Sequence, residues 1–360
     1  MGNMNDKARG HDSRVKAWKL VTATVLLALP LAAHAASCTS QAGMSAPGRS
    51  ALAESSLRLL TAISQQDFTT LRAALLTTES GDWAAIHSAA EQAVPLVAGG
   101  QMRLRNLYLV DASSAKSTAD TQVFCSNSSG SLTVTLSLSA LPPGKYAVVL
   151  ADATGAKLAG QIGLVLGLEG GVWRLGGLSA HAGALDEQDG IWYWTRAREL
   201  ARSAASPSGT LQVGLGAGSG ADANAGAGVG WSAAFTYDIA NYLLVPFSFI
   251  SSPNLEKLSR ERAQIKDAPT FPVTLTDGPR SWKLSSIHLD ASLHHPDLGV
   301  RYETMGATDP ASSRTEALAV LGALLKAQPA LRKNFHGLWA YATKDGKQTF
   351  AIELPMDQIP

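Results

Sequence analysis

Residues 131–138 read Ser-Leu-Thr-Val-Thr-Leu-Ser-Leu, a strict alternation of polar and apolar side chains. Successive side chains of a β-strand point to opposite faces, so this segment predicts a strand with one apolar and one polar face. Three more apolar segments, 145–152, 157–168 and 171–180, follow it and are separated by short turns. Connections of this length join antiparallel neighbours, so residues 102–182 are predicted to form an antiparallel sheet.

Helical spacing precedes these strands. Apolar residues recur every three or four positions from Ser50 to Ile63, Asp67 is expected to begin a second helix, and Asp82 is expected to cap a third that ends at Pro95. Helices followed by antiparallel strands indicate the α+β fold class.

The N-terminal segment has the pattern of a secretory signal peptide. Five basic residues precede the apolar run 20–33, and Ala33-His34-Ala35 places small residues at the positions that define cleavage. An uncleaved membrane anchor is the alternative, but a spanning helix needs about 20 apolar residues and this run is shorter. We therefore expect cleavage after Ala35 and a secreted or periplasmic protein. Since Lys and Arg do not cluster elsewhere and the formal net charge is +1, nucleic-acid binding is not expected.

The chain has two cysteines, Cys38 and Cys125. In an oxidising compartment, such a pair most simply forms a disulfide. The alternative is a lipid anchor at Cys38, because Ala-Ala-Ser precedes it, although Ala35 stands where lipidation signals usually have leucine.

Two aromatic segments, 190–202 and 231–247, predict a helical hairpin. Each places aromatic and small residues at helical spacing, namely Trp194, Ala197 and Ala201 in the first and Ala233, Tyr237 and Ala240 in the second. The pair resembles one tetratricopeptide repeat, in which small residues let two helices pack closely. One repeat cannot bury both its faces, so the hairpin is expected to pack on the rest of the chain or to present a peptide-binding surface. The aromatic residues expected to serve one of these roles are Trp192, Trp194, Phe235, Tyr237 and Tyr242.

Between these helices lies a Gly/Ala-rich insertion, residues 206–230. It contains Gly216-x-Gly218-x-x-Ala221, with Asp238 about twenty positions later, as in a dinucleotide-binding fingerprint. Asp238 falls inside the second helix instead of at the end of a strand, so a flexible insertion is expected and no cofactor is predicted.

The last region predicts a smaller α+β unit. Turns at Asp277-Gly278 and Asp345-Gly346 indicate two hairpins, and residues 298–304 indicate a strand. A mainly helical segment is expected from Thr308 to Phe335, kinked or restarted at Pro329.

The helices and meander of residues 50–182, with the opening 57–71 (Leu-Arg-Leu-Leu-Thr-Ala-Ile-Ser-Gln-Gln-Asp-Phe-Thr-Thr-Leu) and the Gly-Val-Trp-Arg-Leu strand at 171–175, resemble the nuclear transport factor 2-like family. The resemblance implies an α+β cone with a strongly curved sheet. Catalytic members keep an Asp/His or Tyr/Asp set inside the cone, and the corresponding candidates here are Tyr108, Asp111, His181 and Asp186. Their alternative reading is a strand tyrosine and polar residues at a domain exit.

A second polar cluster offers imidazole and carboxylate groups suited to a metal: His288, Asp290, His294 and His295. His288 and Asp290 would project from the same face of a strand. The segment 292–299 has the composition of a polar turn, and no His-Glu-x-x-His spacing is present, so we expect a solvated loop and no metal.

The expected fold is therefore α+β: N-terminal helices with a curved antiparallel sheet, a central aromatic hairpin and a small C-terminal α+β unit. The expected boundaries are 1–35 (signal peptide), 36–49 (linker), 50–184 (cone-like domain), 185–267 (hairpin with its insertion) and 268–360 (C-terminal domain).

An exported, non-catalytic binding or assembly protein is the expected function. The alternative is an isomerase, dehydratase or hydrolase that uses the cone cavity. Ionisable side chains converging on an open cavity would favour the enzyme, whereas an interior filled with Leu and Val would favour binding. The expected partners are a protein or peptide at the hairpin or a small ligand in the cone, with no nucleic acid and no membrane span after cleavage.

Overall fold

The computed structural model describes residues 36–77, 82–126, 130–156, 160–205, 228–244, 247–291, 295–306 and 309–360. Its helices and strands confirm the mixed α+β class. In chain order the elements are β1 (Ser37–Ser40), α1 (Ala46–Ser64), α2 (Phe68–Ala73), α3 (Trp83–Val97), β2 (Gln101–Asp111), β3 (Ala119–Ser126), β4 (Leu132–Leu141), β5 (Lys145–Thr154), β6 (Gly160–Glu169), β7 (Val172–Ala182), α4 (Gly190–Ala205), α5 (Val229–Leu244), β8 (Ile250–Ser251), α6 (Pro253–Ala263), β9 (Val273–Asp277), β10 (Arg280–Asp290), β11 (Asp297–Glu303), α7 (Pro310–Ala327), α8 (Leu331–Asn334), β12 (Gly337–Lys344) and β13 (Lys347–Pro355).

The first sheet has five antiparallel strands in the order β1-β2-β5-β6-β7. The meander β5-β6-β7 follows the sequence prediction. The strands β3 and β4 do not join it, because β2 pairs with β5; they form a second sheet with β8 in the order β3-β4-β8. The alternation of residues 131–138 thus predicted a strand with one apolar face but not the sheet to which it belongs.

Residues 36–49, expected to be a linker, contain β1 and the start of α1. Strand β1 pairs with β2 from Ser37 opposite Asp111 to Ser40 opposite Tyr108. Cys38 and Cys125 form the predicted disulfide, which joins β1 to β3. The same sulfur cannot also carry a lipid, so the structure favours the disulfide over an anchor at Cys38. A disulfide is consistent with an extracytoplasmic protein.

The N-terminal helices start close to where the sequence placed them. Helix α1 begins four residues earlier than Ser50, because Ser45 caps it by accepting a hydrogen bond from the Gly48 amide at 3.3 Å. Asp67 caps α2 through the Thr70 amide at 3.0 Å. Helix α3 continues past Pro95 to Val97, because a proline this near the C-terminal end costs only one hydrogen bond of the last turn.

Apolar side chains of α1, α2 and α3 pack on one face of the first sheet. We call this cluster the helix-side core; it includes Leu60, Ile63, Ala90, Leu107 and Leu164, all at most 2% exposed. The opposite face of the same sheet packs on the β3-β4-β8 sheet through residues such as Val110, Val148 and Leu136. The first sheet is therefore covered by apolar side chains on both faces.

Helices α4 and α5 pack against each other, and α6, which sequence patterns did not single out, packs on α5. Residues 206–227 of the expected insertion lie outside the described residues. Its last residues differ from the expectation: α5 starts at Val229, and Gly230 is buried against Asp267.

The third sheet has the order β13-β12-β11-β10-β9. The predicted hairpins β9-β10 and β12-β13 are present, and β11 pairs in parallel with β12. Helices α7 and α8 make the connection between the two parallel strands. Asp309 caps α7, and Pro329 separates α7 from α8 as expected.

One continuous apolar cluster, which we call the hairpin core, joins α4 and α5 to the third sheet and α7. It includes Trp194 and Phe235 from the hairpin, Leu321 from α7 and Val300 from β11. Within the described part of the chain, no helix is both long and apolar enough to cross a membrane.

Candidate functional site

A large cleft, which we call the first cleft, lies where β7 meets α3, α5 and the end of β10. Its volume is about 830 Å³. Strand β7 contributes Ser179 and His181, α5 contributes Asn241 and Tyr242, and β10 contributes Leu289. Apolar walls with a few polar groups are typical of sites for small molecules.

The ionisable groups of the first cleft already have partners. His181, which is 7% exposed, has its Nδ1 2.7 Å from the carbonyl oxygen of Ala182, and its ring lies 4.9 Å from that of Tyr242. Burial raises the pKa of Tyr242, so its phenol stays protonated near neutral pH. Asp238 forms a two-pronged ion pair with Arg262 at 3.0 and 3.3 Å. These groups can form hydrogen bonds with a ligand in the cleft.

The four candidates for a catalytic set have different partners in different places. Tyr108 is buried between the two sheets, and Asp111 forms an ion pair with Lys145 at 3.6 Å. His181 lies in the first cleft, and Asp186 contacts His295. The structure does not bring the four together.

The interior that the cone resemblance implies is filled by the helix-side core. Its buried residues are apolar, from Leu52 on α1 to Leu175 on β7. Ser56 of α1 is the polar residue buried beside them, and its hydroxyl donates to the Leu52 carbonyl oxygen at 2.7 Å.

The second cleft, of about 520 Å³, lies beside the N-terminal half of α4. Helix α4 contributes Trp192 and Arg196, and the α8 region contributes Lys333 and His336. Trp192 is 45% exposed. This cleft is more highly charged than the first.

Two histidine–aspartate pairs meet at the edge of the second cleft. His295 Nδ1 lies 2.5 Å from Asp186 Oδ1, and His336 Nδ1 lies 3.3 Å from Asp297 Oδ1. The two imidazole rings stack with centroids 4.1 Å apart and planes 16° apart. Burial raises the pKa of Asp297, whereas the nearby His336 and His295 act to lower it.

The structure divides the polar cluster that offered candidate metal ligands. His288 and Asp290 lie on one face of β10, as predicted, but both contact Tyr341: the rings of His288 and Tyr341 stack, and the Tyr341 hydroxyl donates to Asp290 at 2.7 Å. His295 lies at the second cleft, and His294 lies outside the described residues. The expected solvated turn is wrong at Asp297, which is 1% exposed because it begins the central strand β11.

Sequence patterns missed His336 and Glu353, which accompany Asp297. A signal was available for His336: Asp297 and His336 each stand directly before a segment with a strand pattern, 298–304 and 337–344. If those strands pair in parallel, residues just before them become neighbours.

Some aromatic residues of the hairpin are buried, and others lie at the surface. Trp194, Phe235 and Tyr237 are buried in the hairpin core, whereas Trp192 is exposed and Tyr242 faces the first cleft. Arg198 extends over the Trp194 ring at 4.2 Å and pairs with Glu261 of α6.

Comparison with known proteins found no matching family model, no matching curated protein and no matching solved structure. The resemblances to the nuclear transport factor 2-like and tetratricopeptide families therefore stay predictions.

Proposed function

We propose that this chain is an exported binding protein, and that the first cleft holds a small ligand. The proposal rests on the difference between the helix-side core and the first cleft. The helix-side core is filled with apolar side chains, whereas the first cleft is open and offers polar groups at the junction of β7, α3 and α5.

The lining of the first cleft indicates the class of ligand. A volume of about 830 Å³ suits a small molecule. Leu96 and Leu289 would contact an apolar body, and Asn241 and Tyr242 would form hydrogen bonds with a polar group. The ligand is therefore a compound with an apolar part and one or two hydrogen-bonding groups.

The alternative is an isomerase, dehydratase or hydrolase that uses the cone. Such chemistry needs an acid and a base held close to one substrate. The apolar filling of the helix-side core and the separation of Tyr108, Asp111, His181 and Asp186 support binding over catalysis. A protein partner at the exposed Trp192 remains part of the proposal as a second binding surface.

The test is a blocking substitution in the first cleft. Compounds are screened for an increase in the Tm of the purified protein, and hits are measured by calorimetry against Asn241→Trp. Asn241 is exposed on α5 and lines the cleft, so a tryptophan there occupies ligand space without entering the core. We expect ligand affinity to fall at least tenfold.

Asn254→Trp is the matched control, because Asn254 is exposed on α6 and is not part of the cleft lining. It should bind the ligand as the wild type does. Equal affinity of Asn241→Trp and wild type would contradict the cleft assignment, and chemical conversion of the bound compound would favour the enzyme instead.

A further inference from the structure

Three potential metal ligands converge at one end of the third sheet. Asp297, His336 and Glu353 each offer one ligand atom, and these atoms all lie within 4.8 Å of one another. Ligand atoms in a tetrahedral zinc site lie about 3.4 Å apart, as follows from metal–ligand distances of about 2.0–2.2 Å. Small side-chain rotations would therefore close the three groups around one ion.

The pairing of three strands produces this arrangement. Asp297 begins β11, and the parallel register of Leu298 with Leu338 sets Asp297 beside Gly337 on β12. Glu353 on β13 pairs with Trp339, so it lies on the same face and on the other side of β12. His336 directly precedes Gly337. The three ligands thus come from three adjacent strands whose register fixes their backbones.

Gly337 lets the Asp297 carboxylate lie close to the backbone of β12. A Cβ atom at this position would lie 3.1 Å from Asp297 Oδ1, closer than ordinary van der Waals contact. The backbone of His336 is held on both sides, by its amide to the Pro296 carbonyl oxygen at 3.3 Å and by its carbonyl oxygen to the Met356 amide at 3.1 Å. Main-chain hydrogen bonds therefore fix the backbone that carries His336 next to Asp297.

The charges of these residues favour a cation. Asp297 is 1% exposed and accepts a hydrogen bond from the Gly337 amide, and a buried carboxylate is costly unless a charge compensates it. Within the described residues, its ion-pair partner is the imidazole of His336, and no lysine or arginine forms an ion pair with Glu353. A divalent ion would compensate both carboxylates at once.

We propose that Asp297, His336 and Glu353 bind one Zn²⁺ ion. One imidazole with two carboxylates suits zinc and cobalt, whereas calcium and magnesium prefer oxygen ligands alone. Three protein ligands leave a fourth position for water or a ligand group. His336 also lines the second cleft, so the ion would lie at the edge of that cleft.

His295 is a positioning residue in this site. Its ring stacks on His336, and its Nδ1 is held by Asp186, so it limits the rotation of the His336 ring without donating an atom to the ion. Its loss should therefore weaken metal binding less than loss of His336.

The experiment measures Zn²⁺ binding by calorimetry on the EDTA-treated protein, with Co²⁺ absorption as a second readout of coordination. We expect one ion per chain, with affinity reduced at least tenfold in Glu353→Gln and in His336→Gln. Both positions are partly or fully exposed, so these variants should fold; circular dichroism checks this.

Glu91→Gln is the matched control, because Glu91 pairs with His87 on the exposed face of α3 at 3.7 Å. It should bind Zn²⁺ as the wild type does. Absence of saturable binding, or wild-type affinity in both Glu353→Gln and His336→Gln, would overturn the proposal. A larger loss in His295→Gln than in His336→Gln would also overturn it, since the ion would then lie on the Asp186–His295 pair.

Discussion

Glu261 on α6 links three helices through the hydrogen bonds that its carboxylate accepts. Its carboxylate accepts hydrogen bonds from Trp194 Nε1 at 2.8 Å, from Arg198 Nε and Nη2 at 2.8 and 3.0 Å, and from the Tyr237 hydroxyl at 3.3 Å. Trp194 and Arg198 belong to α4, Tyr237 to α5 and Glu261 to α6. These hydrogen bonds, those of Arg198 first, hold the pKa of Glu261 below its ordinary value of 4.5.

The first prediction concerns the pH dependence of stability. Because the pKa of Glu261 is lowered on folding, its contribution is complete above the unfolded pKa and is lost as the pH falls through the folded pKa. Glu261→Gln should cost about 1–3 kcal/mol near pH 7, since Arg198 loses its charged partner. The difference from the wild type should shrink as the pH falls from about 5 to 3. Urea unfolding across this range measures it.

Glu199→Gln serves as the control, because Glu199 forms an exposed ion pair with Arg196 on α4. Exposed pairs contribute about 0–1 kcal/mol, so this variant should follow the wild-type pH profile. A Glu261→Gln profile parallel to the wild type would contradict the role given to Glu261.

The second prediction contrasts two tryptophans on the same helix. Trp194 is 7% exposed and Trp192 is 45% exposed. Trp194→Ala should reduce the free energy of unfolding by about 3–5 kcal/mol, because it removes a large buried side chain, while Trp192→Ala should change it little. Thermal and urea unfolding of both variants test this. An unchanged transition in Trp194→Ala would show that the hairpin is not held by this side chain.

The spacing of aromatic and small residues was enough to predict that Trp194 faces a helix. Trp192 stands two residues earlier, about 200° around the helix from Trp194, so the same spacing places it away from that face, where it is 45% exposed. Glu261 could not be predicted at all, since its donors lie 24 to 67 positions away along the chain.

At the scale of the element, β1 depends on two attachments. It is a four-residue edge strand, paired on one side with β2 and covalently joined to β3 through Cys38 and Cys125. A strand this short contributes few hydrogen bonds, so the disulfide carries much of its stabilisation.

The third prediction tests that disulfide. The double variant Cys38→Ala/Cys125→Ala should lose about 2–4 kcal/mol, because the bond closes a long loop with a sequence separation of 87 residues. Differential scanning calorimetry with and without dithiothreitol measures the effect. The reductant should lower the Tm of the wild type and leave that of the double variant unchanged. Equal Tm values for the two proteins without reductant would contradict the prediction.

The sequence patterns predicted individual strands better than they predicted which strands pair with each other. Alternation specified the apolar face of β4, and short turns specified the meander β5-β6-β7. Alternation says nothing about which edge a strand meets, so the separate β3-β4-β8 sheet could not be predicted. The linker expectation for residues 36–49 was wrong for a related reason: four residues are too few for a recognisable period.

At the scale of the whole molecule, the pairing of strands brings the potential metal ligands together, whereas their spacing along the chain does not. Asp297, His336 and Glu353 meet because α7 and α8 return the chain to pair β12 in parallel with β11. Sequence patterns predicted both strands and the helical segment between them. They did not indicate the order of the strands in the sheet. The candidate residues that sequence grouped by proximity, His288 to His295, are accordingly separated in the fold.

The hairpin core has a consequence for how such a chain can be inherited. Trp194, Phe235, Leu321 and Val300 belong to one apolar cluster although they fall on both sides of the boundary expected at residues 267–268. A recombination event at that point would separate α5 from the sheet that covers it and expose apolar surface on both products. The hairpin and the third sheet should therefore be inherited together, because a break at residues 267–268 divides the core that they share.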